Sequence, residues 1–109
     1  MAVAKPNSAL MRIYTDEQSR AGHKSLFEAI VSRAKESGLS GATVLRGPMG
    51  FGRSHHIQNA SILNLSANLP VVVEIVDEEQ KLRAFFRELE NMRDIGLVTL
   101  EKVEVLHSN

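Results

Sequence analysis

Pro70-Val71-Val72-Val73-Glu74-Ile75-Val76, running into Asp77-Glu78-Glu79-Gln80, decides the fold of this chain. Proline is tolerated at the first position of a strand, and every residue from Val71 to Val76 except Glu74 is β-branched and suits a pleated backbone. Val71, Val73 and Ile75 fall on one face and Val72 and Val76 on the other, so this strand is apolar on both sides. Asp77 is placed to cap a helix, with Gln80 three residues later completing a capping-box pattern. The helix that follows is expected to bury Leu82, Phe85, Phe86, Leu89 and Met92 and to stop near Gly96. Leu97 to Leu106 then reads as a last strand, kinked around Glu101 and Lys102.

The first half of the chain repeats this order. Ala9 to Thr15 alternates as a strand, with Ala9, Met11 and Ile13 on one face and Leu10, Arg12 and Tyr14 on the other. After a polar loop from Asp16 to Gly22, the residues Leu26, Phe27, Ile30, Val31 and Ala34 recur at helical spacing. Gly38 stands where a helix end favours a left-handed residue. Ala42 to Arg46 is a second strand, and a long loop follows. Periodicity leaves Ile57, Ile62, Leu63 and Leu65 open between a short strand and a partial helix.

Strand, helix, strand, long loop, strand, helix, strand implies two βαβ halves with right-handed crossovers. The expected fold is α+β: a ferredoxin-like βαββαβ sandwich, with a four-stranded antiparallel sheet and both helices on one face. Residues 1–7 are expected to be a flexible N-terminal tail, and residues 8–109 a single domain with a long loop over 53–68. Two helices cover one side of the sheet only, and the other side is also apolar. A homo-oligomer, a cyclic trimer or dimer packed sheet against sheet, is the economical way to cover it.

Composition narrows the classes. The 109 residues carry 13 basic and 13 acidic side chains and no cysteine. Disulfides and thiolate metal sites are therefore excluded, as a reducing cytosol would require. The stretch after Lys5 and Pro6 does not resemble a secretory signal, and no run approaches the roughly 20 apolar residues of a membrane span. The expected location is cytoplasmic. Balanced charge argues against a duplex-DNA binder; Tyr14 is the only tyrosine, and neither Ala42–Arg46 nor Val71–Val76 carries an aromatic that could stack on an RNA base.

Charge is nevertheless uneven along the chain. From Ser37 through Val73 there is no aspartate or glutamate; the charged side chains are Arg46 and Arg53, joined by His55 and His56. Five of the seven glycines lie in the same stretch. Glycines let backbone N–H groups turn toward a ligand, and guanidiniums without nearby carboxylates leave a positive field, a combination that suits an anion such as phosphate. The richest run is Gly47-Pro48-Met49-Gly50-Phe51-Gly52-Arg53-Ser54. It has the glycine spacing of a phosphate-binding loop, but Arg53 replaces the lysine, and a true P-loop needs a larger sheet. The residues alone leave two readings: glycines and Arg53 that contact phosphate, or a hinge that lets a long loop leave the sheet. The length of the loop and its lack of charge beyond Arg53 and the histidines fit a segment that orders on meeting a ligand or partner.

Catalytic and metal readings are weaker. Adjacent histidines on an extended chain point to opposite faces, so His55 and His56 make a poor chelate without a third ligand. Ser54 beside His55 lacks the facing geometry of an activated serine. The charges of the second helix alternate in sign and read as a solvated face. No catalytic residue is expected.

The chain resembles the PII signal-transduction proteins, trimeric ferredoxin-like sensors of carbon, nitrogen and energy state. The most specific part is Gly41-Ala42-Thr43-Val44 leading to Gly50-Phe51-Gly52-Arg53, similar to the PII run at the base of the T-loop. Leu69-Pro70 with Val73-Glu74-Ile75-Val76 is similar to the PII strand that receives the loop's other end. Two features depart from that pattern: one extra residue lies between Thr43 and Gly50, and Met92 to Val98 has one glycine and no lysine where PII proteins carry T-G-x-x-G-D-G-K. The T-loop tyrosine that many PII proteins modify is also absent. A closer resemblance is to the PII-like group called domain of unknown function one-ninety. It rests on Ala42 to Gly52, on the S-x-x-L-x-L-S segment from Ser61 to Ser66, and on Leu69 to Asp77.

The resemblance implies a non-enzymatic PII-like sensor, a homotrimer. Its small anionic effector, with an adenine nucleotide as the expected candidate, would bind at the inter-subunit cleft through Arg46, Gly47, Gly50, Phe51, Gly52 and Arg53. The loop residues Ser54, His55, His56 and Ile57 would meet a regulatory partner such as a membrane transporter or ion channel. Two alternatives stay open: a divalent-metal-responsive protein resembling the CutA family, with His55 and His56 as ligands, and a structural adaptor of a transporter that binds no ligand.

Overall fold

In chain order the elements are β1 (Ser8–Asp16), β2 (Arg20–Ala21), β3 (Lys24–Ser25), α1 (Leu26–Glu36), β4 (Thr43–Arg46), β5 (Met49–Gly50), β6 (Gln58–Asn59), β7 (Pro70–Glu78), α2 (Glu79–Leu89) and β8 (Val98–Lys102). They are taken from a computed structural model in which residues 6–61 and 66–108 are described. Residues 1–5 of the expected tail, and Ile62, Leu63 and Leu65, lie outside the described residues.

Four strands form one antiparallel sheet in the order β4-β7-β1-β8. The two long strands are central, paired along their full length from Ser8 opposite Glu78 to Asp16 opposite Pro70. This is the ferredoxin-like arrangement expected from the two βαβ halves. Short two-stranded ribbons, β2 with β3 and β5 with β6, stand outside it.

The core follows from the alternation. Ala9, Met11 and Ile13 of β1 and Val73 and Ile75 of β7 are buried against Leu26, Ile30 and Ala34 of α1 and Leu82, Phe85 and Leu89 of α2. Both helices therefore cover the same face. Helix α1 ends in a Schellman turn: Gly38 has φ 77°, its N–H donates to the Lys35 carbonyl, and the Leu39 N–H donates to the Ala34 carbonyl. Glu88 of α2 accepts from Arg33 of α1 and from Ser37, the residue that caps its C-terminus.

On the opposite face Arg12 lies between two acids. Its Nε donates to Glu74 Oε2 at 3.0 Å and its Nη1 to Glu101 Oε1 at 2.6 Å. The hydrogen bonds that Arg12 donates to Glu74 and then to Glu101 raise the guanidinium pKa above its ordinary value. Around this network Tyr14, Leu45 and Val76 are exposed.

Three expectations are corrected. Asp77 does not cap α2, because β7 runs on through it to Glu78 and the N-cap is Glu78, which makes no side-chain cap bond. Alternation instead turns Asp77 inward with Val73 and Ile75, leaving it 5% exposed. There its Oδ2 accepts from Ser40 N (2.9 Å) and Ser40 Oγ (3.0 Å), and its Oδ1 from Glu78 N. The first helical N–H, that of Glu79, donates to the Asn7 carbonyl. Helix α2 stops at Leu89 rather than near Gly96. Met92 and Ile95 still pack on the core, but from the turns that follow. The last strand ends at Lys102 and does not continue to Leu106.

Candidate functional site

The long loop is anchored before it departs. Gly47 N donates to the Pro70 carbonyl at 2.8 Å. A Cβ on Gly47 would come within 3.0 Å of Pro70 Cγ, and one on Gly50 within 3.1 Å. Two of the glycines in the cluster therefore let the loop base press on the first residue of β7, a close approach that a side chain would obstruct. Past this point β5 and β6 pair, with Met49 opposite Asn59 and Gly50 opposite Gln58. The returning chain is tied down by side-chain amides: Gln58 Oε1 accepts from Asn68 N, and Asn68 Oδ1 accepts from Gln18 N.

A cleft of about 660 Å³ opens where this ribbon faces the end of the sheet. One wall is the run Gly50 to Ser54, the floor comprises Tyr14, Thr15 and Asp16, and the other wall is Asp94 to Leu97. The second wall is fixed by contact with β1. Tyr14 N donates to the Leu97 carbonyl at 2.8 Å, and a Cβ on Gly96 would overlap the Tyr14 carbonyl. Asp16 Oδ1 accepts from Ser19 N (2.7 Å) and Gln18 N (3.1 Å). Thr15 Oγ1 is buried at this floor without a hydrogen-bond partner among the described residues.

Arg53 spans the cleft. Its Nη2 donates to the Ile95 carbonyl at 3.1 Å, and its Nη1 lies 4.0 Å from Asp94 Oδ1, with the side chain 73% exposed. Asp94 has φ 67°, in the left-handed region that Asp and Asn tolerate best among side chains larger than glycine. Arg53 is thus held at the edge of the cleft by a neutral acceptor and a distant carboxylate, and both contacts can be exchanged.

The residues singled out in the sequence separate. Gly50, Phe51, Gly52, Arg53, Ser54 and His56 line the cleft. Arg46 does not; it pairs with Glu17 Oε2 at 3.1 Å. The stretch without acids is therefore not without carboxylates once folded, since Glu17 reaches Arg46 and Asp94 approaches Arg53 from distant parts of the chain. His55, with φ 62°, turns its ring toward Phe51 at a centroid distance of 6.1 Å, while His56 faces the cleft. Among the described residues no group of three His, Cys, Asp or Glu side chains is placed to hold a metal ion. The contributions of Thr15, Asp16 and Asp94–Leu97 were missed. The signals in the sequence that point to the second wall are Gly96, a lone glycine between helix and strand, and the correspondence of Met92 to Val98 with the second glycine-rich segment of the PII proteins.

Comparison with known proteins identifies the family and the fold. The model of the family described as Uncharacterized ACR (DUF190) matches residues 8–105. A UPF0166 protein of Aquifex aeolicus is 43% identical over 98 residues, covering 90% of this chain and 92% of that one. A UPF0166 protein of Methanocaldococcus jannaschii is 31% identical over 97 residues, covering 88% and 89%. Among solved structures, CPII from Thiomonas intermedia K12 bound to ADP and bicarbonate aligns with a TM-score of 0.66 at 14% identity, covering 96% of this chain and 91% of that one. A protein described as PII-like from Thermus thermophilus aligns with a TM-score of 0.64 at 16% identity, covering 96% and 92%. The chain belongs to the DUF190 family and has the fold of the PII-like proteins.

Proposed function

We propose that this chain is a PII-like sensor that binds an adenine nucleotide in the cleft and reports it through the long loop, with no chemistry done on the ligand. The observation that carries the reading is Arg53: it leaves the base of the loop and crosses the cleft to the backbone of the opposite wall. A phosphate oxygen entering there competes with the Ile95 carbonyl for the guanidinium. A charged acceptor makes the stronger bond, so the ligand wins Arg53. Loop conformations that present Arg53 to the ligand are then favoured over those that leave it on Ile95, which is the differential interaction a switch requires.

In this reading the amides and side chains of Gly50 to Arg53 contact the ligand. Gly47 and Arg46 set the loop base from outside, against Pro70 and Glu17. The neighbours of known structure support the choice of ligand class, since CPII was solved with ADP and bicarbonate and again with ADP, AMP and bicarbonate. A second copy of the chain completes the cleft, and Ser54, His55, His56 and the exposed Ile57 on the loop meet a partner protein in the cytoplasm, such as a transporter. No helix among the described residues is long and apolar enough to cross a membrane, so contact with a transporter would be from its aqueous side.

The reading is tested by thermal shift and titration calorimetry of the purified chain with AMP, ADP and ATP, each with and without bicarbonate. A ligand of the native state raises the melting temperature by mass action. If none of these compounds shifts the melting temperature or releases heat, the nucleotide reading fails.

A further inference from the structure

We infer that Gln58 is the latch of the long loop: one hydrogen bond accepted by its side chain fixes the β5–β6 ribbon to the end of the sheet, and breaking it frees the ribbon to move on its seat at Pro70. The inference concerns the free chain and holds whatever the cleft binds. From Phe51 to Ser61 every residue is exposed except Gln58, which is half-buried. Its backbone and its side chain serve different arms of the loop. The backbone pairs with Gly50 on the departing arm, while Oε1 accepts from Asn68 N on the returning arm at 3.0 Å. A backbone N–H can only donate, so the amide must present its oxygen to Asn68.

The point that Gln58 grips is itself fixed. Glu17 N donates to the Leu69 carbonyl, Gln18 N to Asn68 Oδ1, and Gln18 Nε2 to the Ser66 carbonyl, so the returning arm is tied to the turn after β1. The ribbon from Met49 to Asn59 has few other ties. Among the described residues its remaining side-chain hydrogen-bonding and ionic contacts with the rest of the fold are those of Arg53 with Ile95 and Asp94. That side chain is 73% exposed. The base of the loop is a hinge more than a clamp: Gly47 N bonds the Pro70 carbonyl, and Gly50 rests on the Pro70 ring. A segment with so little buried surface belongs to the low-stability end of a fold, where one hydrogen bond decides between held and released.

The test is trypsin digestion of the full chain without ligand, read by mass spectrometry, for the parent, Gln58→Ala and Gln58→Glu. The rate of cleavage after Arg53 reports how often the ribbon opens. Gln58→Ala is expected to be cut there about fivefold faster than the parent, as the loss of one hydrogen bond of ordinary strength would produce. Gln58→Glu keeps an oxygen for Asn68 N and is expected to be cut at the parent's rate. Cleavage after Arg33, inside α1, needs the core to open and should proceed equally in all three. A parent rate in Gln58→Ala, or a Gln58→Glu cut as fast as Gln58→Ala, overturns the inference. So does cleavage after Arg33 that quickens in step with Arg53, since the substitution would then loosen the whole fold and not a latch.

Discussion

Gly96 and Tyr14 meet backbone to backbone: a Cβ at position 96 would overlap the Tyr14 carbonyl, and Tyr14 N donates to the neighbouring Leu97 carbonyl. The second wall of the cleft is thereby set directly on a central strand. Gly96→Ala cannot relieve the overlap by turning a flexible side chain, because the obstacle is main chain. It is expected to destabilise the fold by about 1–3 kcal/mol, the usual range for overpacking. Urea denaturation checks this; a variant as stable as the parent would mean that the approach is looser than described.

Arg53→Ala is expected to weaken nucleotide binding by about 1.5–3 kcal/mol, the size of a charge-assisted contact to phosphate. The melting temperature of the free chain should hardly move, since the side chain is mostly exposed. Equal affinities for parent and variant in calorimetry would remove Arg53 from the site.

Asp77 gives the fold a dependence on pH. Burial alone pushes its carboxyl upward, but hydrogen bonds from Glu78 N, Ser40 N and Ser40 Oγ, with the charge of Lys81, outweigh it and hold the pKa below the ordinary value of 3.8. The folded state therefore favours the ionised form. The stability it contributes is complete above the unfolded-state pKa and is lost as pH falls through the lower folded-state value. Asp77→Ala should cost about 1–3 kcal/mol near pH 7 by stripping Ser40 of its acceptor. The gap between parent and variant should narrow at acid pH. Chemical denaturation at several pH values reads both effects, and a gap that widens toward low pH would contradict the assignment.

Arg12 tests how the open face is used. In the proposed oligomer this face is covered by another copy, and Arg12 neutralises Glu74 and Glu101 upon it. Arg12→Glu leaves three carboxylates together there, which should turn the assembly into monomers in sedimentation or light scattering. An unchanged particle mass above that of a monomer would place the interface elsewhere.

Much of the fold was legible because its signals are local. The two-residue alternation of Ala9, Met11 and Ile13 and of Val73 and Ile75 identified the central strands and their buried face. Gly38 marked the end of α1. Asp77 misled because an acid followed three residues later by glutamine is a fair helix start; its true partner, Ser40, lies 37 residues away and is found only once the sheet is assembled. Helix α2 was drawn too long because Met92 and Ile95 are apolar, as a continuing helix would require, yet they reach the core from turns. At the site, the wall from Gly50 to Arg53 announced itself through glycine and charge. The opposing wall was marked only by its place in the PII pattern, since Asp94 and Ile95 have no motif of their own and acquire their meaning by facing Arg53. The same distance hid Glu17 from Arg46: freedom from acids along the chain is not freedom from acids in space.

Pro70, wedged between Gly47 and Gly50 at the head of β7, acts as a fulcrum. In the proposed reading the lever formed by the loop would turn about a point that belongs to the scaffold. Recognition and integrity would then be separable: rewriting the loop beyond Gly50 for a new client would not ask the sheet to refold.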